Sequence, residues 1–192
     1  VVDRVVDAGG RVVVAGTERL RPHGDAVRET MAADVADRYA AVIESSPSRT
    51  AGLTHRAADR SFADLSGLWG GRPIRDVIPY GAPATHDSGV ALVNAPTGFA
   101  EASTALAAAG AHVVLHATAD GIPTGHPIVP VCKVTGDAGT FAALEGDIDV
   151  DARTASADDL STLVGRVAGG ERTCAERHGL TAFAISRAGP SM

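Results

Sequence analysis

Lysine is almost missing from this chain. Lysine and arginine together number 17, and Lys133, in "PVCKVTGD", is the one lysine among them. Chance survival in a composition dominated by Ala, Gly, Val and Arg accounts for it at no cost. A chemical account also exists: lysine is a compact charge whose pKa burial can lower, whereas arginine is planar and always charged. At a proton-transfer site or a tight carboxylate clamp the two do not interchange, and composition alone leaves both accounts open.

Other absences are more decisive. There are two cysteines, Cys132 and Cys174, with no CxxC spacing; this excludes a disulfide scaffold and reads as two free thiols in a cytoplasmic protein. There is no excess of positive charge. The formal net charge is −6, which argues against a nucleic-acid or anionic-membrane surface built on bulk charge. The longest apolar runs, "RVVVAG" and "GVALVNAP", are far too short to span a bilayer, and no charged-then-apolar leader opens the chain. It begins with Val and is read as a processed or partial chain. The seven histidines form no HExxH or HxH pair, so no zinc site can be written. No GxSxG elbow supports a hydrolase triad. The Gly-Lys-Ser/Thr ending of a phosphate-binding loop is missing too.

What is present is a chain of 192 residues, 45% of them apolar, enough for a core without staples. Spacing predicts a helix over "VVDRVVDAGG", a strand at "RVVVAG", and one long helix over "HGDAVRETMAADVADRYAAVIESSP", ended by Pro47. A stretch punctuated by glycine and proline follows, with one short helix and a brief strand at "IRDVIPY". From residue 88 strands and helices alternate. The strands are "GVALVNAP", "AHVVLHAT" and "IVPVCKVT". The helices are "FAEASTALAAAG", "DAGTFAALEG" and "SADDLSTLVGRVAGGE", the last with Ser156 as N-cap and Asp158 and Asp159 in its first turn. Apolar strands alternating with helices predict an α/β fold: a Rossmann-like three-layer arrangement with a mainly parallel sheet. The expected division is 1–60 as the tail of a preceding domain, 61–87 as a connector, and 88–192 as the Rossmann-like domain.

In such sheets ligands collect beyond the carboxyl ends of the strands. Three loops qualify: "NAPTGFAEAS", "HATADGIPTGHP" and "CKVTGDAG". Thr97 and Gly98 open a helix, where ordinary capping competes with anion binding. In the middle loop Gly121, Pro123 and Gly125 shape a backbone that a ligand can approach closely, with Thr118, Asp120, Thr124 and His126 as polar groups; a plain surface turn is the competing reading. Asp147, Asp149 and Asp151 alternate in "GDIDVDAR", which in extended chain puts three carboxylates on one side. Such oxygen clusters take hard cations, and a solvated acidic loop is the alternative.

The ordered string "LVNAP…EASTALAAAGAHVVLHATADGIPTGHPIVPVCKVTGD…DIDVDA…LVGRVAGGERTCAER" resembles the C-terminal region of the altronate/galactarate dehydratases, the UxaA family. The likeness is most specific over 88–178. Weaker likeness reaches back through "SPSRTAGLTHRAADRSFADL" to "VVDAGGRVVVAGTERL". The resemblance implies a cytoplasmic hydro-lyase that removes water from a sugar acid to give a 2-keto-3-deoxy product. It implies a divalent metal, Fe2+ or Mn2+, and a Rossmann-like C-terminal layer. It implies Lys133 and Asp149 as catalytic groups, Lys133 clamping the substrate carboxylate. Thr97, Gly98, Thr118, Gly121, Pro123, Gly125 and Thr135 become substrate contacts, and Asp147 and Asp151 metal ligands. The family's arginine in the glycine loop is Asp120 here, and its upstream Cys- and Gly-rich segments are absent. The chain therefore reads as a fragment, a subunit that works with a separate N-terminal portion, or a non-catalytic paralogue binding a small acid or a partner, with a homo-oligomer compatible with each.

Overall fold

The computed structural model describes residues 1–46 and 61–186. The Pro47 stop and the Gly52-Leu53-Thr54 and Asp59-Arg60 parts of the family likeness lie outside them. The chain is α/β and divides into two compact units: Val2–Gly110 with the described residues 184–186, and Ala111–Phe183, with which Val1 is grouped. The boundaries expected from sequence were at residues 60 and 87.

The first unit is built on a parallel sheet. Strands β1 (Arg11–Val14), β2 (Ile74–Ile78) and β3 (Gly89–Val93) lie in the order β1-β3-β2. The register pairs Val12 with Val90 and Val14 with Leu92. Every residue of β3 is buried, because the sheet is covered on both faces. Val90, Leu92, Ile74 and Val77 face a core with Tyr39, Ile43, Leu65 and Trp69. Ala91, Val93 and Ile78 face Ala105 and its neighbours on an alanine-rich helix, Phe99–Ala108. Alternation with period two thus sorts one strand's side chains between two cores. The sequence reading grouped β3 with the later strands; it is the middle strand of this earlier sheet.

The long helix expected over 23–47 is broken. It becomes a 3-10 stretch (Thr17–His23), helix Gly24–Arg28, helix Ala33–Tyr39 and a π-helical turn (Ala40–Glu44). The interruption has a cause: Thr30 O accepts the N–H of Ile74, and Met31 bridges Ile74 as a further short pairing on the sheet edge. Sheet pairing outcompetes helix continuation there.

The second unit holds a second parallel sheet, β4 (Val114–Ala117), β5 (Val131–Thr135) and β6 (Val150–Asp151), in that order. β5 is central and buried throughout. β4, expected to be buried on both faces, is an edge strand with Leu115 38% exposed. "IVPVCKVT" enters the strand only at Val131, leaving Ile128 exposed. Helices Ala138–Ala143 and Ala157–Ala168 form as expected, the latter started by a reciprocal capping box between Ser156 and Asp159. A last short helix, Cys174–His178, is started by a Thr173–Glu176 capping box. We number the helices of this unit α1 (Ala138–Ala143), α2 (Ala157–Ala168) and α3 (Cys174–His178).

Candidate functional site

The only lysine sits in the middle of β5 and is completely covered, at 0% exposure. Its backbone N–H goes to a side chain, the Oδ2 of Asp149 at 2.7 Å, while the Asp149 N–H returns to Lys133 O at 3.0 Å. The other oxygen of Asp149 accepts the N–H of Cys174 at 2.8 Å, at the start of α3. One carboxylate therefore ties β5, the approach to β6 and α3 together, with both oxygens in use.

The Lys133 side chain reaches the turn that follows β4. Its Nζ donates to the carbonyl of Pro123, and no second acceptor for it is found among the described residues. An ammonium carries three donors, and among the described residues one acceptor meets them. Burial pushes the lysine pKa down, against the pull of the Asp149 charge.

The turn is held at several points. Thr118 N–H bonds Val134 O at 2.9 Å, and the Thr118 hydroxyl accepts the N–H of Gly121 at 3.2 Å. Gly121 has φ +66, and a Cβ there would collide with Leu144 and Thr140, so glycine is required on two counts. The Thr140 hydroxyl donates to Ala119 O at 2.5 Å. Gly125 pairs with Thr181, and a Cβ on it would come 2.8 Å from that of Ala175 on α3. His126 is buried, its pKa lowered by that burial.

Thr135 ends β5, buried, with its hydroxyl accepting the N–H of Asp137 at 3.2 Å. Asp137 caps α1 by accepting the N–H of Thr140 at 2.7 Å. Thr118, Gly121, Pro123, Gly125, Lys133 and Thr135 thus lie together in one unit. Thr97 and Gly98 belong to the other. There Thr97 N–H and hydroxyl lie 3.4 and 3.3 Å from the Glu18 carboxylate, and Glu101 folds back over Gly98. The chain's own carboxylates fill that helix start.

The three alternate aspartates do not converge. Asp147 bonds His178 Nδ1 at 2.7 Å, Asp149 holds the two backbone N–H groups, and Asp151 makes a two-pronged pair with Arg153 at 2.9 and 2.7 Å. Among the described residues no three His, Cys, Asp or Glu side chains are grouped so as to hold a metal ion. The donors expected for a divalent ion at Asp147 and Asp151 are committed elsewhere, so the residues present do not fit one. The extended-chain argument failed because only Val150–Asp151 is strand. Sequence reasoning also passed over Arg153, whose partner Asp151 is two residues away, and over Glu18 and His178, whose partners Thr97 and Asp147 are distant in sequence and leave no local signature.

The second unit of this parallel α/β chain places a glycine-shaped turn over a buried lysine. Comparison with known proteins gives the family. Residues 67–191 match the family described as D-galactarate/altronate dehydratase, C-terminal, and the chain belongs to that family. It is 30% identical over 155 residues to an altronate dehydratase of Escherichia coli (strain K12), covering 77% of this chain and 31% of that protein. It is 35% identical over 115 residues to an altronate dehydratase of Bacillus subtilis (strain 168), covering 60% of this chain and 22% of that protein. The chain thus matches less than a third of either relative. Among the described residues, no helix is long and apolar enough to cross a membrane.

Proposed function

We propose that this chain is the C-terminal, acid-binding part of a sugar-acid hydro-lyase, removing water from an aldonate or aldarate such as altronate or galactarate to give a 2-keto-3-deoxy acid. The observation that carries the reading is Lys133: a covered lysine under the glycine turn, with Pro123 O as the one acceptor for its Nζ among the described residues.

Dehydration begins with removal of a weakly acidic proton beside a carboxylate, and the negative charge that develops on the carboxylate oxygens needs a fixed positive partner. Lys133 supplies that partner once the turn admits the acid. Asp149 acts through it: with both oxygens accepting N–H groups, it is a positioning residue for Lys133 and not the base. Thr118 and Thr135 flank the same turn and serve the substrate hydroxyls. A divalent ion, Fe2+ or Mn2+, belongs in this proposal to the remainder of the enzyme, since these residues offer it no ligand set. That remainder is a preceding portion or a separate subunit.

A non-catalytic role is favoured by one observation, the complete cover over Lys133. The two readings part in an assay of the chain joined to the N-terminal portion of a dehydratase of this family, with keto-acid release from altronate and galactarate as readout. The hydro-lyase reading expects product, and a loss of about 100-fold or more for Lys133→Met, in line with removing one preorganised charge partner, with an unchanged unfolding midpoint at neutral pH. No product, or full activity in Lys133→Met, would end it.

A further inference from the structure

β4 is the outer strand of the second unit's sheet, and its free edge is unguarded. Val114 N–H bonds Pro130 O and Thr118 N–H bonds Val134 O, both at 2.9 Å, with His116 in register beside Lys133. Along a parallel strand, alternate residues turn their N–H and C=O toward the same neighbour. Residues 114, 116 and 118 therefore face β5, and the N–H and C=O groups of Leu115 and Ala117 point outward. Both residues are exposed. Among the described residues no turn or loop backbone bonds either of them.

The other sheet edges are each blunted, as the edges of soluble proteins usually are. β1 begins with Arg11, whose side chain crosses to Ala84 O and Asp87 O, and its remaining residues are half-buried. β2 is bridged at Ile74 by Met31 and changes register between Ile74 and Asp76. β6 has only two residues and ends in the Asp151–Arg153 pair. β4 has no such protection. Its register with β5 is unbroken, and residues 111–119 contain no proline, Asp, Glu, Lys or Arg.

The edge is complementary to itself. In antiparallel pairing, two residues that face each other with outward groups exchange both of their N–H and C=O bonds. With a two-fold axis at His116, Leu115 of each copy meets Ala117 of the other. Every outward group of the two residues is then bonded, and the leucines and alanines form one apolar row on a shared face. Charge also favours a second copy here. Two chains of formal charge −6 repel over much of their surface, and a stretch without acidic side chains lets them meet with least like-charge contact.

We propose that β4 pairs antiparallel with β4 of a second copy, joining two three-stranded sheets into one continuous sheet. The inference stands apart from the acid-binding reading, and activity is not its readout.

The test is sedimentation of the 192-residue protein at neutral pH from about 1 to about 300 µM, the range of a weak association through a small interface. The wild type should pass from monomer to dimer, with amide exchange at Leu115 and Ala117 slowing as concentration rises. Ala117→Pro removes an outward N–H and no bond of the protomer's own ladder. Leu115→Lys puts like charges on the two-fold edge. Each should raise the dimer Kd at least ~10-fold with the urea midpoint of the monomer unchanged; if the proline variant fails to fold, Leu115→Lys carries the test alone. A wild type that stays monomeric throughout, or a Leu115→Lys protein that dimerises like the wild type, overturns the proposal. So does slowing of the two amides that is independent of concentration and appears only when the chain is joined to the N-terminal portion of a dehydratase of this family, which would assign the edge to that portion.

Discussion

At the scale of single residues, Lys133 shows how context decides meaning. Burial favours its neutral form, so its pKa in the fold is below the ordinary value of 10.5. Between that lowered value and 10.5 the unfolded chain binds more protons at this site than the folded one. Stability from this residue therefore rises with pH across that window and levels off above it. Cys132, pushed up to about 12, and Cys174, to about 11, work the other way. The check is the difference between wild type and Lys133→Met in urea unfolding at a series of alkaline pH values. The wild type should gain on the variant as pH rises, and parallel curves would contradict the lowered pKa. The sequence singled out this lysine by its rarity. That it would be covered, with Pro123 O as its one acceptor among the described residues, was not legible, because the turn that covers it is positioned by Thr140, Leu144 and Ala175 from elsewhere in the chain.

At the scale of elements, caps and period-two alternation were readable because they are local. Ser156 with Asp159 starts α2 as read, and "GVALV" is a buried strand as read. What failed was competition between distant segments: the break at Thr30–Met31 exists only because Ile74 offers a sheet edge. Asp149 belongs to the same class, a residue expected in chemistry that folding uses as an acceptor. Its replacement by alanine strands the N–H groups of Lys133 and Cys174. At 1–3 kcal/mol for each unsatisfied group, Asp149→Ala should cost about 3 kcal/mol, read as a lower urea midpoint with the slope retained. Asp149→Asn keeps an acceptor oxygen for one of the two and should cost less. Equal stability of all three proteins would refute the tie.

At the scale of the whole molecule, two parallel sheets each carry a core of their own, and the aligned parts of the chain cover 31% and 22% of the two matched relatives. Both thiols lie in the second unit, buried, with Cys132 in the cluster formed with Leu163 and Val167. Since thiolate is the reactive form, an aromatic disulfide reagent at pH 8 should label neither in the folded protein and both in urea. Rapid labelling of either under native conditions would show that this unit opens far more often than its packing implies.

The two-residue strand β6 has one further consequence. The backbone bonds of a ladder do not themselves read side-chain identity, and a strand of two residues offers little hydrophobic pattern to fix its register. Here the bond to the middle of β5 comes from a carboxylate, and displacement by one position would offer it Ile148 or Val150 instead. A slip of one position supplies no oxygen, so a chemical label adds to length in keeping the pairing in place.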